Sequence, residues 1–401
     1  MRIAIITPGF LPVPDSKGGA VEILTGFFIE CNEKEKKCKF DLYTLPSDDI
    51  NINFKETKLI PIYVSKFEEK ISKILNFIYR KFLINKHSNF YINKVIKEME
   101  KRKENYDYIL IENNMYSYQK IYEIYKNKTK FIFHLHNDIG GQDKPIDICK
   151  FIAKTSFRTI VVSNYIKKRF ESCTGGKADI LLNCIDDKSY EKIDFEFLNK
   201  IVKKYSVDPK KKIYMYIGRV QKEKGCLELV KAFSNSEILS KKAQLFVVGS
   251  IWYGKRRKST YYEEIQKYTR RCDNIFFTGG INHDKISTIL SLADICVIPS
   301  ICEEAFGMVA LEAMKMKKAI IVSKSGGLPE VVEESTPILD RENIVENLRK
   351  VMEDYSMKSK QELIKLGEKQ YKKYNSIQEF NSVGYLNRLI NILENNNSEW
   401  K

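Results

Sequence analysis

At 401 residues, 43% of them hydrophobic, the chain is too long for one ordinary core and apolar enough for two. No apolar run reaches the ~18 residues of a spanning helix, and nine cysteines without a Cys-x-x-Cys pair exclude a disulfide framework or a zinc site and fit reduced thiols. The formal charge of +16 favours phosphate-bearing partners, although lysine is abundant throughout and bias alone explains it equally well; no nucleic-acid module accompanies it, so no nucleic-acid partner is expected.

The first strand is expected at Arg2–Thr7. Its short apolar run lacks the core and cleavage site of a signal peptide, so the chain is expected to stay in the cytoplasm. A turn with Pro8, Pro12 and Pro14 leads to Gly18-Gly19 and a helix from about Val21. Backbone N–H groups there can approach a diphosphate, though a Gly-Gly pair alone is usually only a turn. A strand follows at Phe40–Leu45. Between Ser65 and Lys103, Phe67, Ile71, Ile74, Leu75, Ile78 and Phe82 recur at helical spacing, with Lys66, Lys70, Lys73, Arg80 and Lys81 among them. Such a basic amphipathic helix either lies on an anionic membrane, at the inner face of the cell membrane, or packs its stripe on the sheet.

Strands are then predicted at Tyr108–Glu112, Lys130–Leu135, Thr159–Ser163 and Ile180–Asn183. His134 and His136 end the second of these and share a face by strand alternation. One of them is expected to touch a substrate hydroxyl. A polar stretch from Asp186 to Pro209 has no strong strand and sets the boundary: a first domain over 1–188 and a second over 189–375. The tail reads as one or two helices, with a helix over about 376–401 returning to the first domain.

The second half opens a fresh series: Ile213–Ile217, Gln244–Gly249, Ile275–Thr278, Ile295–Pro299 and Ala319–Ser323. Strands alternating with helices predict an α/β chain of two Rossmann-like domains facing each other across a ligand-holding cleft. After Ile217 come Gly218, Arg219, Lys224 and Gly225: two cations in a loop opening a helix, suited to two phosphates. The most informative run is Glu303 to Ala313. Glu304 lies on a loop after a strand, and Glu312 lies within a helix starting near Gly307. Two carboxylates thus flank free N–H groups and the positive end of a helix dipole, a site for an anionic or hydroxyl-rich ligand. No Asp-x-Asp occurs, so no metal is expected; Arg219, Lys224 and helix dipoles must neutralise a diphosphate.

Taken in order, Pro8 to Glu22, Phe133 to Asp138, Val161 to Asn164, Leu181 to Asp186, Tyr216 to Gly225, Phe246 to Ser250, Thr278 to Gly280 and Glu303 to Val332 resemble the family-four retaining glycosyltransferases of the GT-B fold. The specific part is the Glu-x7-Glu run followed by Ser325-Gly326-Gly327-Leu328-Pro329-Glu330. The resemblance implies that Arg219 and Lys224, with Gly218, bind the donor diphosphate, that Glu312 binds the ribose, and that Glu304 lies by the donor sugar. It implies that the N–H groups of Phe306, Gly307, Met308 and Val309 hold sugar hydroxyls and phosphate. The first domain would bind the acceptor and the second the nucleotide-sugar; Gly18 and Gly19 would approach the diphosphate from the other domain, and Ile281 would contact the base through its backbone. His136, with His134 as the alternative, would be the cleft histidine; His136, Glu304, Arg219 and Lys224 would be the catalytic set. Cys184 and Ala305 depart from the family's usual Gly and Pro.

The function so implied is retaining, metal-independent transfer of a hexose-type sugar from a nucleoside-diphosphate sugar, with UDP as the expected nucleotide. The acceptor would be a saccharide or lipid-linked hydroxyl in bacterial cell-surface polysaccharide or glycoconjugate assembly. The alternatives are a surface- or coat-associated binding protein keeping the fold, or another nucleotide-sugar enzyme such as an epimerase.

Overall fold

The computed structural model describes residues 1–14, 19–47, 54–81, 88–140, 145–250 and 260–395, with only the backbone of 80 and 81. Gly18, Phe82 and the side chains of Arg80 and Lys81, singled out above, lie outside the described residues. Contacts divide the chain into one unit of Met1–Leu182 with Ser382–Lys401 and another of Asn183–Asn381.

The first unit holds β1 (Arg2–Ile6), β2 (Lys39–Thr44), β3 (Thr57–Pro61), β4 (Tyr108–Glu112), β5 (Lys130–Leu135), β6 (Arg158–Val161) and β7 (Asp179–Ile180). Their order is β3-β2-β1-β4-β5-β6-β7, and every pair is parallel. A parallel sheet is covered on both faces, which is why β1 and β4 read as apolar runs without alternation; Ile3 to Ile6 and every residue of β4 are buried. The connecting helices are α1 (Ala20–Glu35), α2 (Lys66–Lys81), α3 (Phe90–Arg102), α4 (Met115–Tyr125), α5 (Ile146–Thr155) and α6 (Asn164–Thr174). Asn89, Asn114 and Ser163 start α3, α4 and α6 by accepting a backbone N–H of the first turn.

In the second unit β8 (Lys212–Ile217), β9 (Ala243–Val248), β10 (Ile275–Gly279), β11 (Ile295–Ile298), β12 (Ala319–Ser323) and β13 (Ile338–Leu339) form a parallel sheet in the order β10-β9-β8-β11-β12-β13. Its helices are α7 (Phe195–Lys204), α8 (Cys226–Ser234), α9 (Glu237–Lys242), α10 (Thr260–Thr269), α11 (Ile286–Ser291), α12 (Met308–Lys315), α13 (Leu328–Val331), α14 (Ile344–Met357) and α15 (Lys360–Ser376). The last helix, α16 (Ser382–Glu394), belongs to the first unit. There Tyr385 stacks on Phe28 at 5.8 Å, and the Tyr108 hydroxyl donates to the Leu393 carbonyl at 2.9 Å.

Two strands escaped the sequence reading. β3 is a short edge strand whose two polar residues, Thr57 and Lys58, precede its apolar ones without alternation and which ends in Pro61, and β13 has only two residues. The basic segment Ser65–Lys103 is two helices, because Asn89 starts α3 afresh. None of the nine cysteines forms a disulfide.

In both sheets the chain order reverses beside the first strand of the unit. Neighbouring strands there send their following loops to opposite faces, which opens a crevice at the C-terminal edge. These reversals fall between β1 and β4 and between β8 and β11.

Candidate functional site

The loops after β8 and β11 meet at the reversal of the second sheet. Gly225, at φ +69°, ends the first loop; a Cβ there would stand 1.9 Å from the Pro299 carbonyl oxygen. Only glycine allows that approach. The N–H groups of Ile301 and Cys302 donate to the Glu223 carbonyl at 2.8 and 3.1 Å, tying the loops together. Lys224 Nζ thereby comes 2.6 Å from Glu304 Oε1, with both side chains largely covered (25% and 17% exposed). The Ser300 hydroxyl donates to the same oxygen.

Glu304 is held from the other side by the Ser325-Gly326-Gly327 run. Its N–H donates to Ser325 Oγ at 3.0 Å, and its carbonyl accepts from the Gly327 N–H at 2.8 Å. Gly326, at φ +49°, lies so close that a Cβ would stand 2.2 Å from the Glu304 carbonyl oxygen. Glu303 accepts the Gly326 N–H at 2.6 Å and pairs with Arg341 at 2.5 Å. The glutamates and the Ser-Gly-Gly run, about twenty residues apart in sequence, are thus one wrapped turn. Gly307 then starts α12 with no side-chain cap, so the first N–H groups of the helix have no intrahelical acceptor.

Further along α12, Glu312 is buried beside the Tyr190 phenol, which burial and then the carboxylate's charge push well above its ordinary pKa. His283 Nε2 stands 3.4 Å from Glu312 Oε1. Sequence reading missed both neighbours; a visible signal was that His283 is one of only four histidines and follows Ile281 by two residues. Ile281 itself is half-buried in the link after β10. Gly218 and Arg219 follow β8 directly; the Arg219 side chain is exposed and has no ion pair among the described residues. Lys224 and Glu304 are therefore brought into contact, Arg219 shares the loop after β8 with Lys224, Ile281 follows β10, which β9 separates from β8, and Phe306 is buried against Phe380 (ring centroids 6.2 Å apart).

Gly19 and the histidines belong to the first unit. Gly19 caps α1 in an extended conformation. His134 and His136 do share a face, with ring centroids 3.9 Å apart. Their common partner is Glu112 at the end of β4, which sequence reading took only as a strand residue. Glu112 Oε2 lies 2.6 Å from His136 Nε2 and 3.1 Å from His134 Nδ1, and all three side chains are buried. Burial raises the Glu112 carboxyl pKa, but the two imidazoles outweigh it and hold the group below its ordinary range. Among the described residues these three form a group with the donor set of a metal site.

Residues 199–370, within the second unit, match the family model described as Glycosyl transferases group 1. Particular relatives extend the likeness. A lipopolysaccharide 1,2-N-acetylglucosaminetransferase of Salmonella typhimurium is 28% identical over 56% of this chain and 56% of that protein, little more than half its length. Spore coat protein SA of Bacillus subtilis is 24% identical over 83% of this chain and 84% of its own. Among solved structures, Anabaena Alr3699/HepE in complex with UDP and glucose matches with TM-score 0.70 at 16% identity, over 98% of this chain and 99% of that one. That likeness shows the fold, the GT-B type of two Rossmann-like units.

Proposed function

We propose that the chain is a retaining glycosyltransferase that moves a hexose-type sugar from a UDP-sugar to an acceptor hydroxyl in bacterial cell-surface polysaccharide or glycoconjugate assembly. The observation that carries this reading is the Lys224–Glu304 pair at the β8/β11 reversal, beside the uncapped start of α12 and inside the matched domain. The names of the relatives, a lipopolysaccharide N-acetylglucosaminetransferase and a UDP-bound structure, support the substrate class.

In this reading the bond between the anomeric carbon and the diphosphate oxygen breaks while the acceptor oxygen bonds to the same face of that carbon. The acceptor's proton passes to the leaving phosphate oxygen, and configuration is kept. The main task is to stabilise charge on the departing diphosphate. Lys224 keeps ammonium hydrogens beyond the one facing Glu304; Arg219 and the N–H groups of Phe306 to Val309 supply the rest, and no metal is assigned. Glu312 takes the ribose, and Gly218 and Ile281 border the nucleotide. His136, Gly18 and Gly19 are assigned to the donor from the first unit. The place of action is the cytoplasmic face of the membrane, with α2 as the contact.

The test is thermal unfolding of the full chain with nucleoside diphosphates and a panel of nucleotide sugars. A ligand that binds the folded state raises the midpoint, so UDP and one UDP-sugar are expected to do so, with turnover of that sugar. No shift with any nucleotide would reject the reading. Metal content measured on the purified protein tests the metal-free assignment, since Glu112, His134 and His136 offer ligand atoms within 4.8 Å of one another. The likeness to a spore coat protein favours a second reading, a non-catalytic binding protein on the same fold. Nucleotide binding without donor turnover would select it.

A further inference from the structure

Glu312 is enclosed by two segments that carry no motif of their own. One is a 3₁₀ turn, Asp187–Tyr190, at the start of the polar stretch that separates the two strand series. The other is a second 3₁₀ turn, His283–Lys285, which leads from β10 into α11. Side chains join the two. The Ser287 hydroxyl donates to the Lys192 carbonyl at 3.0 Å, the Asp194 N–H donates to Thr288 Oγ1 at 3.0 Å, and Lys285 Nζ lies 2.9 Å from Asp194 Oδ2. Three positions after Glu312, Lys315 Nζ pairs with Asp187 Oδ1 at 2.8 Å and is only 10% exposed, which pins the first turn to α12 itself.

A buried carboxylate needs partners. Among the described residues no lysine or arginine pairs with Glu312; its neighbours are the buried Tyr190 phenol and His283 Nε2, 3.4 Å from Oε1. The His283 side chain is 32% exposed and the Glu312 side chain 7%, so the imidazole stands at the rim between the carboxylate and solvent. A carboxylate accepts about four hydrogen bonds. One long contact on Oε1 orients the group and leaves it capacity for a vicinal diol, which two carboxylate oxygens accept side by side.

We propose that His283 is a positioning residue for the donor's ribose. It fixes the Glu312 carboxylate against the Asp187–Tyr190 turn and so sets the preference of the site for a nucleotide with an intact 2′,3′-diol. This rests on the glycosyltransferase reading above, in which Glu312 takes the ribose.

Calorimetric titration of the full chain with UDP and with 2′,3′-dideoxyuridine diphosphate tests it. The wild type is expected to prefer UDP by about ten- to a hundredfold, the range for hydrogen bonds to a charged acceptor. His283→Ala is expected to weaken UDP by about tenfold and to leave the dideoxy nucleotide unchanged, because only a ligand with the diol uses the oriented carboxylate. His283→Gln keeps an N–H donor and is expected to recover most of the loss. The side chain lies at the rim, so an unchanged thermal midpoint is expected for both variants. A preference for UDP that His283→Ala leaves intact would overturn the proposal, as would equal weakening of both nucleotides or a wild type that binds them equally; in each case UDP binding leaves the donor reading standing. No UDP binding by the wild type rejects the donor reading, and this inference with it.

Discussion

Lys224 and Glu304 show how a single charged pair gains its meaning from its surroundings. At 2.6 Å and mostly shielded from water, the two hold each other in one geometry, whereas an exposed pair would contribute little. Lys224→Ala is expected to lower transfer by about 10²-fold, since it removes one cation from the departing diphosphate. Steady-state kinetics with the preferred donor measures this, and turnover near wild type would contradict the assignment. Glu112 is the other residue whose role is set by neighbours. Its carboxyl is held below the ordinary range in the folded state, so its contribution is present above the unfolded value of ~4.3 and is lost as pH falls through the lowered folded value. Glu112→Gln is expected to destabilise the chain by roughly 1–3 kcal/mol above that range, because it takes a charged acceptor away from two buried ring nitrogens. Urea unfolding at stepped pH should show the gap from wild type shrinking in acid; a gap independent of pH would refute the pairing.

At the scale of elements, the site depends on loops that touch. Gly225→Ala places a methyl 1.9 Å from the Pro299 carbonyl at a left-handed φ. The loops must part or the backbone must shift, at a cost of about 1–3 kcal/mol or more. A lower urea midpoint would register this, and an unchanged midpoint would show that the loops accommodate it. Helix α2 shows a different principle, since its sides face three environments. Glu69, Ser72, Lys73 and Asn76 line a pocket of about 690 Å³ at the β1/β4 reversal, Ile71 and Leu75 are half-buried, and Phe67, Ile74 and Phe77 stand 71%, 59% and 62% exposed, with Lys66 and Lys70 exposed nearby. That outward face has the composition of an interfacial helix. The chain is expected to sediment with anionic vesicles at low salt, and Phe67→Ser with Phe77→Ser to abolish this while stability is kept. Absence of wild-type binding would remove the membrane from the proposal.

For the whole molecule, the path of the chain matters as much as its composition. The chain leaves the first unit at Leu182 and re-enters it at Ser382. Tyr385 is fully buried against Phe28, and Leu386, Leu389 and Leu393 are buried with it. Deleting residues 382–401 exposes that surface, at about 1.5–3 kcal/mol per large apolar side chain, and is expected to cause loss of soluble expression. A truncated chain with native stability would contradict the packing. By itself the sequence determined the α/β alternation, the two-unit organisation and the order of the motifs, because apolar runs, glycine loops and helix starts are local signals. It also marked Glu304, Glu312, Arg219 and Lys224, through their places in glycine-bearing loops after strands and within a helix. Short edge strands such as β3 and β13 carry too few residues for a pattern to emerge. Only the tertiary structure decided that Lys224 meets Glu304, that the Ser-Gly-Gly run wraps the same turn, and that Glu112 lies between two histidines. Those contacts join residues that the sequence separates by about twenty to eighty positions or more, and parallel strand order, which no local pattern encodes, sets which loops meet.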